Sequence, residues 1–276
     1  MILAIDIGNT NSVFGVFEDS NLTASFRMAT HHEFTEDEYG IIFYNLLKSK
    51  EINPKDFEGG IISSVVPPLT TVLEKMCDKY LGFKPIVVGP GIKSGINIKY
   101  DNPKEVGADR IVNAVAAYHK YGGPAIIVDF GTATTFDAIT ANCDYLGGAI
   151  APGISISSEA LFKSAARLYR VEIARPERII GKNTAESMKS GIYYGYAGLV
   201  DNIVEKMKEE MGGGKIFVVA TGGLAPLICS EAKHIDAVDL MLTLEGLKLI
   251  YDKNKNSYLR ENLGFPLNII NQWRLQ

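Results

Sequence analysis

Runs of apolar residues separated by polar turns divide the first part of the chain into short strands followed by alternating helices and strands. The pattern near the start predicts a meander of three strands at 2–7, 12–17 and 22–28. Apolar side chains three and four residues apart then predict a helix at 36–49. The remaining segments of this part are strands at 60–66 and 85–88 and helices at 69–80 and 105–121.

The second part of the chain repeats this series. Three apolar runs predict strands at 125–128, 135–140 and 146–151. The later elements are helices at 157–166 and 184–211, a strand at 215–220, and helices at 225–233 and 242–254. Because a meander followed by helices and strands occurs twice, we expect two α/β domains at 1–120 and 121–256. Residues 257–276 form an apolar tail of unknown role.

The same short signature ends the first strand of each series. An apolar run ends in Asp-x-Gly and passes into small polar residues, first as Asp6-Ile7-Gly8-Asn9-Thr10-Asn11 and then as Asp129-Phe130-Gly131-Thr132-Ala133-Thr134-Thr135. Each copy predicts a β-hairpin whose turn carries a carboxylate, a glycine and hydroxyl groups. A carboxylate can hold a cation or its bound water, and glycine lets backbone N–H groups approach phosphate oxygens. Two facing copies would hold a polyphosphate from both sides.

Composition narrows the partners that we expect. The chain has 276 residues, of which 46% are apolar and 22% charged, and its formal net charge is −4. This balance argues against an extended nucleic-acid surface, and no apolar run reaches the roughly 18 residues that span a bilayer. We expect no secretory leader, and Cys77, Cys143 and Cys229 are too scattered for a zinc or disulfide pattern. We expect a soluble, cytoplasmic protein that binds neither nucleic acid nor membrane.

Five sequence blocks together resemble the type III pantothenate kinase family. They are the two Asp-x-Gly signatures, Gly107-Ala108-Asp109-Arg110, the glycine-rich segment 147–153 and Thr221-Gly222-Gly223. The resemblance covers residues 1–255 or so. It implies an α/β fold of duplicated ribonuclease-H-like domains, as in the actin-like ATPases, with mixed sheets flanked by helices. It also implies ATP-dependent phosphorylation of pantothenate to 4′-phosphopantothenate, the first step of coenzyme A biosynthesis.

The resemblance gives the two hairpins different roles. By similarity Asp6 faces the magnesium ion of ATP, and the residues expected to bind ATP in this loop are Asp6, Ile7, Gly8, Asn9, Thr10, Asn11, Ser12 and Val13. Asp129 is expected to coordinate a monovalent cation, potassium or ammonium, and Thr132 to donate to a nucleotide phosphate. For Asp6 taken alone, a plain hairpin turn residue is the other interpretation.

The block Gly107-Ala108-Asp109-Arg110 opens the predicted helix at 105–121. A phosphoryl acceptor must be oriented and relieved of its proton, and a carboxylate suits that task. The forked donors of Arg110 suit an anionic or polar acceptor. The resemblance implies that Asp109 is the catalytic base, that the whole block contacts pantothenate and that Tyr100 packs on the pantothenate chain. The alternatives are exposed first-turn charges for Asp109 and Arg110 and a buried structural role for Tyr100.

Thr184 begins the longest predicted helix, 184–211. The resemblance implies that Thr184 reaches pantothenate from the neighbouring subunit of a homodimer, whereas a plain helix N-cap is the structural alternative. Thr221-Gly222-Gly223 follows a predicted strand and resembles a turn beside the adenosine.

Other functions stay open on sequence grounds. A kinase for a sugar or for acetate would use the same scaffold, as would a regulatory protein that has lost catalysis. An actin-like polymerising ATPase usually needs insertions for which 276 residues leave no room. The residues expected of an active kinase are all present: Asp6, Asp109, Arg110, Asp129 and Thr132.

Overall fold

The computed structural model describes residues 1–164 and 170–263, and side chains within 1–164 and 170–256. The strands of the first part are β1 (Ile2–Ile7), β2 (Asn11–Glu18), β3 (Asn21–Ala29), β4 (Gly59–Ser64) and β5 (Ile86–Val87). The helices of this part are α1 (Glu36–Ser49) and α2 (Pro67–Leu81). The predicted bounds of these elements are confirmed to within two residues.

The first sheet has the strand order β3-β2-β1-β4-β5. β1, β2 and β3 form the predicted antiparallel meander, and β4 and β5 continue the sheet parallel to β1. The centre of the sheet is buried on both faces, which explains the continuous apolar runs of β1 and β4. Both helices contribute to one apolar core with the sheet, in which the rings of Phe14 and Phe43 stack at 5.0 Å.

The second part contains more elements. Its strands are β6 (Asn97–Ile98), β7 (Ala125–Phe130), β8 (Ala133–Ile139), β9 (Asp144–Pro152), β10 (Phe217–Thr221) and β11 (Ala237–Val238). Its helices are α3 (Ala108–Tyr121), α4 (Ile154–Ser164), α5 (Thr184–Glu210), α6 (Ala225–Cys229) and α7 (Leu242–Leu263).

The second sheet has the order β11-β10-β7-β8-β9-β6. Within it, β9-β8-β7-β10-β11 repeats the order and strand directions of β3-β2-β1-β4-β5. Helix α5 packs on this sheet through buried residues such as Tyr193 and Val200, which share a core with Ile126 and Val218. The repeated topology confirms the predicted α/β class, with duplicated ribonuclease-H-like sheets flanked by helices.

Two compact units divide the chain, and neither is continuous in sequence. The first comprises Met1–Gly95, Gly107–Val115 and the C-terminal segment that begins at Leu244. The second comprises Ile96–Val106 and Ala116–Thr243. These two units are groups of residues in mutual contact. The predicted boundary between residues 120 and 121 instead separates the two duplicated halves of the sequence. The boundary therefore stays a prediction.

Several element bounds differ from the predicted ones for local reasons. Helix α3 begins at Ala108, because Pro103–Glu105 form a separate 3₁₀ turn capped by the Asn102 side chain. Helix α6 ends at Cys229, four residues early, and α4 begins at Ile154, three residues early. Helix α7 continues to Leu263, past the predicted start of the tail, and residues 264–276 lie outside the described part of the chain.

No helix in the described part of the chain is long and apolar enough to cross a membrane. All three cysteines are free thiols. Burial raises the pKa of Cys77 and brings that of Cys229 to about 12, so both thiols stay protonated at neutral pH.

Candidate active site

The first Asp-x-Gly hairpin is held closed by hydrogen bonds to Thr30 at the end of the meander. The Gly8 amide donates to the Asn11 carbonyl at 3.0 Å across the turn. The Thr30 amide donates to the Thr10 carbonyl at 3.0 Å, and its hydroxyl donates to the Gly8 carbonyl at 2.7 Å. Asn9 and Thr10 are exposed at the tip. The turn is therefore fixed while its outer surface stays accessible to a ligand.

Asp6 lies in β1 between two neighbours on the same face of the sheet. It pairs with Val13 of β2 and with Ser63 of the parallel strand β4. Ser63 is fully buried, and its hydroxyl has no hydrogen-bond partner within the described residues. The carboxyl ends of β1 and β4 meet here, which is the edge where open α/β sheets bind ligands.

The second hairpin places Asp129 between two hydroxyl residues. Asp129 of β7 pairs with Thr135 of β8 and with Thr221 of β10, so the three side chains share one face of the sheet. The Gly131 amide donates to the Ala133 carbonyl at 3.0 Å and closes the turn, on which Thr132 is exposed. Carboxylate and hydroxyl oxygens of this kind are hard ligands for a cation.

Gly222 forms a cradle for the Asp129 carboxylate. Its φ of +93° lies in the left-handed region, and a Cβ built on it would stand 2.7 Å from Asp129 Oδ1. No group of three or more His, Cys, Asp or Glu side chains gathers within the described residues, so Asp129 is not part of a multi-carboxylate metal centre there.

The Gly107 to Arg110 block forms the first turn of α3 in the first unit. Oδ1 of Asp109 accepts a hydrogen bond of 2.8 Å from the Arg110 amide. Arg110 is buried, at 7% exposure, so the alternative of exposed first-turn charges is wrong for it. Burial raises the pKa of Asp109, while the Arg110 amide and charge oppose that shift. A carboxylate whose pKa is moved towards neutrality is suited to accept a proton.

Tyr100 lies in the second unit and is half-buried, which leaves part of its ring open to a ligand. Its ring is 6.4 Å from that of Tyr145 and inclined by 49°. A structural role for Tyr100, packed near Tyr145, therefore stays the alternative.

Thr184 is exposed at the start of α5, and it is not the N-cap. That position belongs to Asn183, whose side chain accepts from the Glu186 amide at 2.9 Å. The cap alternative for Thr184 is therefore wrong, and its hydroxyl is available at the surface. It lines an open depression of about 550 Å³ formed by Leu161, Gly181, Lys182, Asn183, Thr184, Ser187 and Met188.

The candidate residues divide between the two units. The first unit holds the Asp6 hairpin and the block of Asp109, and the second holds Asp129, Tyr100 and Thr184. Sequence reasoning missed the role of strand pairing, which places Ser63 beside Asp6 and Thr135 beside Asp129. Ser63-Ser64 at the end of an apolar strand was an available signal for the first of these pairs.

The repeated sheet order and the two Asp-containing hairpins define a protein of duplicated α/β architecture. The type III pantothenate kinase family model matches residues 2–206. A type III pantothenate kinase from Syntrophus aciditrophicus (strain SB) is 57% identical over 254 residues, which cover 92% of this chain and 100% of that relative. The chain belongs to the type III pantothenate kinase family.

Solved structures agree on the fold. A Campylobacter jejuni protein named for the Baf family of transcriptional activators superposes with a TM-score of 0.58 at 22% identity, covering 92% of this chain and 99% of that one. Component A of the (R)-2-hydroxyglutaryl-CoA dehydratase of Acidaminococcus fermentans gives 0.54 at 13% identity, covering 91% and 96%. At these identities the likeness shows a common architecture alone.

Proposed function

We propose that this chain transfers the γ-phosphate of ATP to the 4′-hydroxyl of pantothenate, giving 4′-phosphopantothenate for coenzyme A biosynthesis. Family membership supports the reaction. The observation that carries the proposal is Asp109, a carboxylate with a raised pKa in the first turn of α3, beside the buried Arg110. A base and an adjacent cationic donor are what an alcohol acceptor requires.

The first hairpin is the proposed site for the ATP phosphates. The turn is fixed by Thr30, and the half-buried Asp6 at the end of β1 would hold the magnesium ion that accompanies ATP. The residues proposed to contact ATP are Asp6, Ile7, Gly8, Asn9, Thr10, Asn11, Ser12 and Val13, with Thr132 of the second hairpin. Magnesium would arrive with the nucleotide, so a single carboxylate such as Asp6 would suffice on the protein side.

Asp129 is the proposed ligand of a monovalent cation, potassium or ammonium. Two neighbouring hydroxyl residues, Thr135 and Thr221, support this assignment because they offer oxygen atoms beside the carboxylate. The carboxylate also lies so close to Gly222 that residue 222 has no room for a side chain. When bound, such a cation would offset phosphate charge in the nucleotide complex.

Pantothenate is the proposed ligand of Tyr100, Gly107, Ala108, Asp109 and Arg110. Arg110 would orient the acceptor through its guanidinium, and Asp109 would accept the proton of the attacking hydroxyl. The half-exposed ring of Tyr100 suits an amphipathic chain. Positioning and electrostatics supply most of the acceleration, because phosphoryl transfer passes through a loose transition state.

A homodimer is part of the proposal. Thr184 would reach the pantothenate of the partner subunit, and its exposed hydroxyl beside an open depression supports this role. The proposed location is the cytoplasm, where ATP is available and free cysteines stay reduced.

A coupled assay of ADP release tests the function. Pantothenate and ATP should give turnover that is higher in potassium than in sodium, and mass spectrometry should find one added phosphate on pantothenate. Sugars and acetate serve as competing acceptors. Turnover with one of these but not with pantothenate would move the chain to another substrate, and a chain inactive with all of them would fit a regulatory role instead.

A further inference from the structure

The segment that carries Tyr100 is anchored to strand β9 immediately before the tyrosine. β6 pairs with β9, and the Lys99 amide donates to the Tyr145 carbonyl at 2.8 Å. The Asn97 side chain donates to Asp144 Oδ1 at 2.6 Å. The backbone just before Tyr100 is therefore fixed, and the position of the Tyr100 ring depends on the residues that the ring contacts.

The ring of Tyr100 meets the backbone of Gly147. A Cβ built on Gly147 would stand 3.0 Å from Tyr100 Cε2 and 3.1 Å from Cδ2. Gly147 has a φ of +109° and follows a bulge, because Ala138 pairs with Gly147 whereas Ile139 pairs with Tyr145. Bulges of this kind change the direction of a strand locally. Here the bulge presents bare backbone to the aromatic ring.

A buried polar pair, Tyr145 and Asp137, lies next to the contact between Tyr100 and Gly147. Tyr145 and Asp137 are both fully buried, and the Tyr145 hydroxyl donates to Asp137 Oδ1 at 2.6 Å. The Thr135 hydroxyl donates to Asp137 Oδ2 at 3.4 Å. Buried networks whose members are hydrogen-bonded are rigid, so the ring of Tyr145 has a fixed orientation beside Tyr100.

We propose that Gly147 is a positioning residue for the acceptor: its bare backbone, held in place by the Tyr145–Asp137 pair, sets the position of the Tyr100 ring and thereby the contact that this ring makes with pantothenate. This inference rests on the proposed contact between Tyr100 and pantothenate. It gives a role to the first glycine of the segment 147–153, which is singled out by sequence but has no assigned task.

Gly147→Ala tests the proposal directly, because its methyl group requires the ring to shift by a few tenths of an ångström. We expect the KM for pantothenate to rise about tenfold, since small misplacements of a substrate-positioning group have effects of this order or more. The kcat and the KM for ATP should change by less than about twofold, because the variant loses only pantothenate binding that is equally strong in the ground state and the transition state. Gly212→Ala is the matched control, since Gly212 has a φ of +91° with nothing within 4 Å of the added methyl.

A double-mutant cycle with Tyr100→Ala separates positioning from general strain. In the Tyr100→Ala background, Gly147→Ala should leave the pantothenate KM unchanged within about twofold, because coupled residues are not additive. Equal effects in both backgrounds, or a fall in kcat at constant KM, would overturn the proposal. If Gly147→Ala does not fold by circular dichroism, Tyr145→Phe replaces it in the same cycle with the same expectations. Absence of pantothenate turnover in the wild type would instead refute the proposed function.

Discussion

The carboxylate of Asp109 folds back over the backbone of Gly107. A Cβ on Gly107 would stand 2.5 Å from Asp109 Oδ1, the same oxygen that accepts from the Arg110 amide at 2.8 Å. A side chain at residue 107 would therefore displace the carboxylate. This contact gives a physical reason for glycine two residues before the proposed base.

Asp109→Asn should remove most of the kcat and leave nucleotide binding nearly intact. The amide keeps the shape of the side chain and an oxygen for the Arg110 amide, but it cannot accept the proton of the acceptor hydroxyl. A loss of about 10²- to 10⁴-fold is typical for a general base. Single-turnover phosphorylation of pantothenate and titration with an ATP analogue check both parts. Turnover near that of the wild type would exclude Asp109 as the base.

The same substitution should stabilise the folded protein at neutral pH. Burial raises the pKa of Asp109 above its ordinary value of 3.8, so the folded state disfavours the charged form. The stability contributed by neutral Asp109 is present below that ordinary value and is lost as the pH rises through the folded pKa. Urea denaturation of both proteins between about pH 4 and pH 8 should show Asp109→Asn gaining relative stability with rising pH. A gain by the wild type over that interval would contradict the direction of the shift.

Asp129→Asn should abolish the preference for potassium. The variant keeps an oxygen beside Thr135 and Thr221 but loses the negative charge that attracts the cation. The ratio of turnover in potassium to turnover in sodium should fall towards one. Asp6→Asn is the control at the equivalent strand position of the first hairpin: it should lower activity but keep the ratio. An unchanged ratio in Asp129→Asn would remove this residue from the cation site.

Local patterns predicted most of the fold, and what they missed depends on contacts between distant residues. Period-two and helical spacing identified the long elements of both sheets, and the repeated meander indicated the duplication. Strands β6 and β11 have two residues each and, unlike the equally short β5, do not lie within a continuous apolar run. They exist because a neighbouring strand offers them a free edge, as β9 does to β6.

The sequence predicted which residues belong to the candidate site better than it predicted how those residues are arranged. Asp6, Asp109 and Asp129 stand at hairpins or helix starts, which sequence identifies. The pairing register that sets Ser63 beside Asp6, and the contact of Tyr100 with Gly147, exist only in the folded sheet. The cap of α5 was missed by one residue, because Asn183 and Thr184 are both good N-cap residues and only geometry decides between them.

Tyr145→Phe should destabilise the protein by about 1–3 kcal/mol, because it removes a hydrogen-bond donor from a buried carboxylate. The bond from Tyr145 to Asp137 is 2.6 Å long and both residues are fully buried. Tyr118→Phe is the matched control, since the Tyr118 hydroxyl donates to the Ala141 carbonyl at 3.0 Å in an exposed setting. Urea midpoints measure both changes. Equal losses of unfolding free energy in the two variants would mean that the buried hydrogen bond stabilises the protein no more than the exposed one.

Subunit mixing tests whether Thr184 acts on the partner's substrate. Thr184→Ala and Asp109→Asn should each be impaired as homodimers. A heterodimer of the two, purified through different tags, contains one site with both wild-type residues if Thr184 acts across the interface. We expect that heterodimer to show about half the wild-type activity per dimer, because a two-fold interface repeats each site once.

The opposite arrangement gives a different result in the same preparation. If Thr184 served its own subunit, each site of the heterodimer would carry one substitution, and activity would stay at the mean of the two impaired homodimers. A heterodimer of Asp109→Asn with wild type sets the scale for one intact site. Recovery to that scale is the outcome we expect, because Asn183 already caps α5 and the Thr184 hydroxyl is exposed beside the open depression.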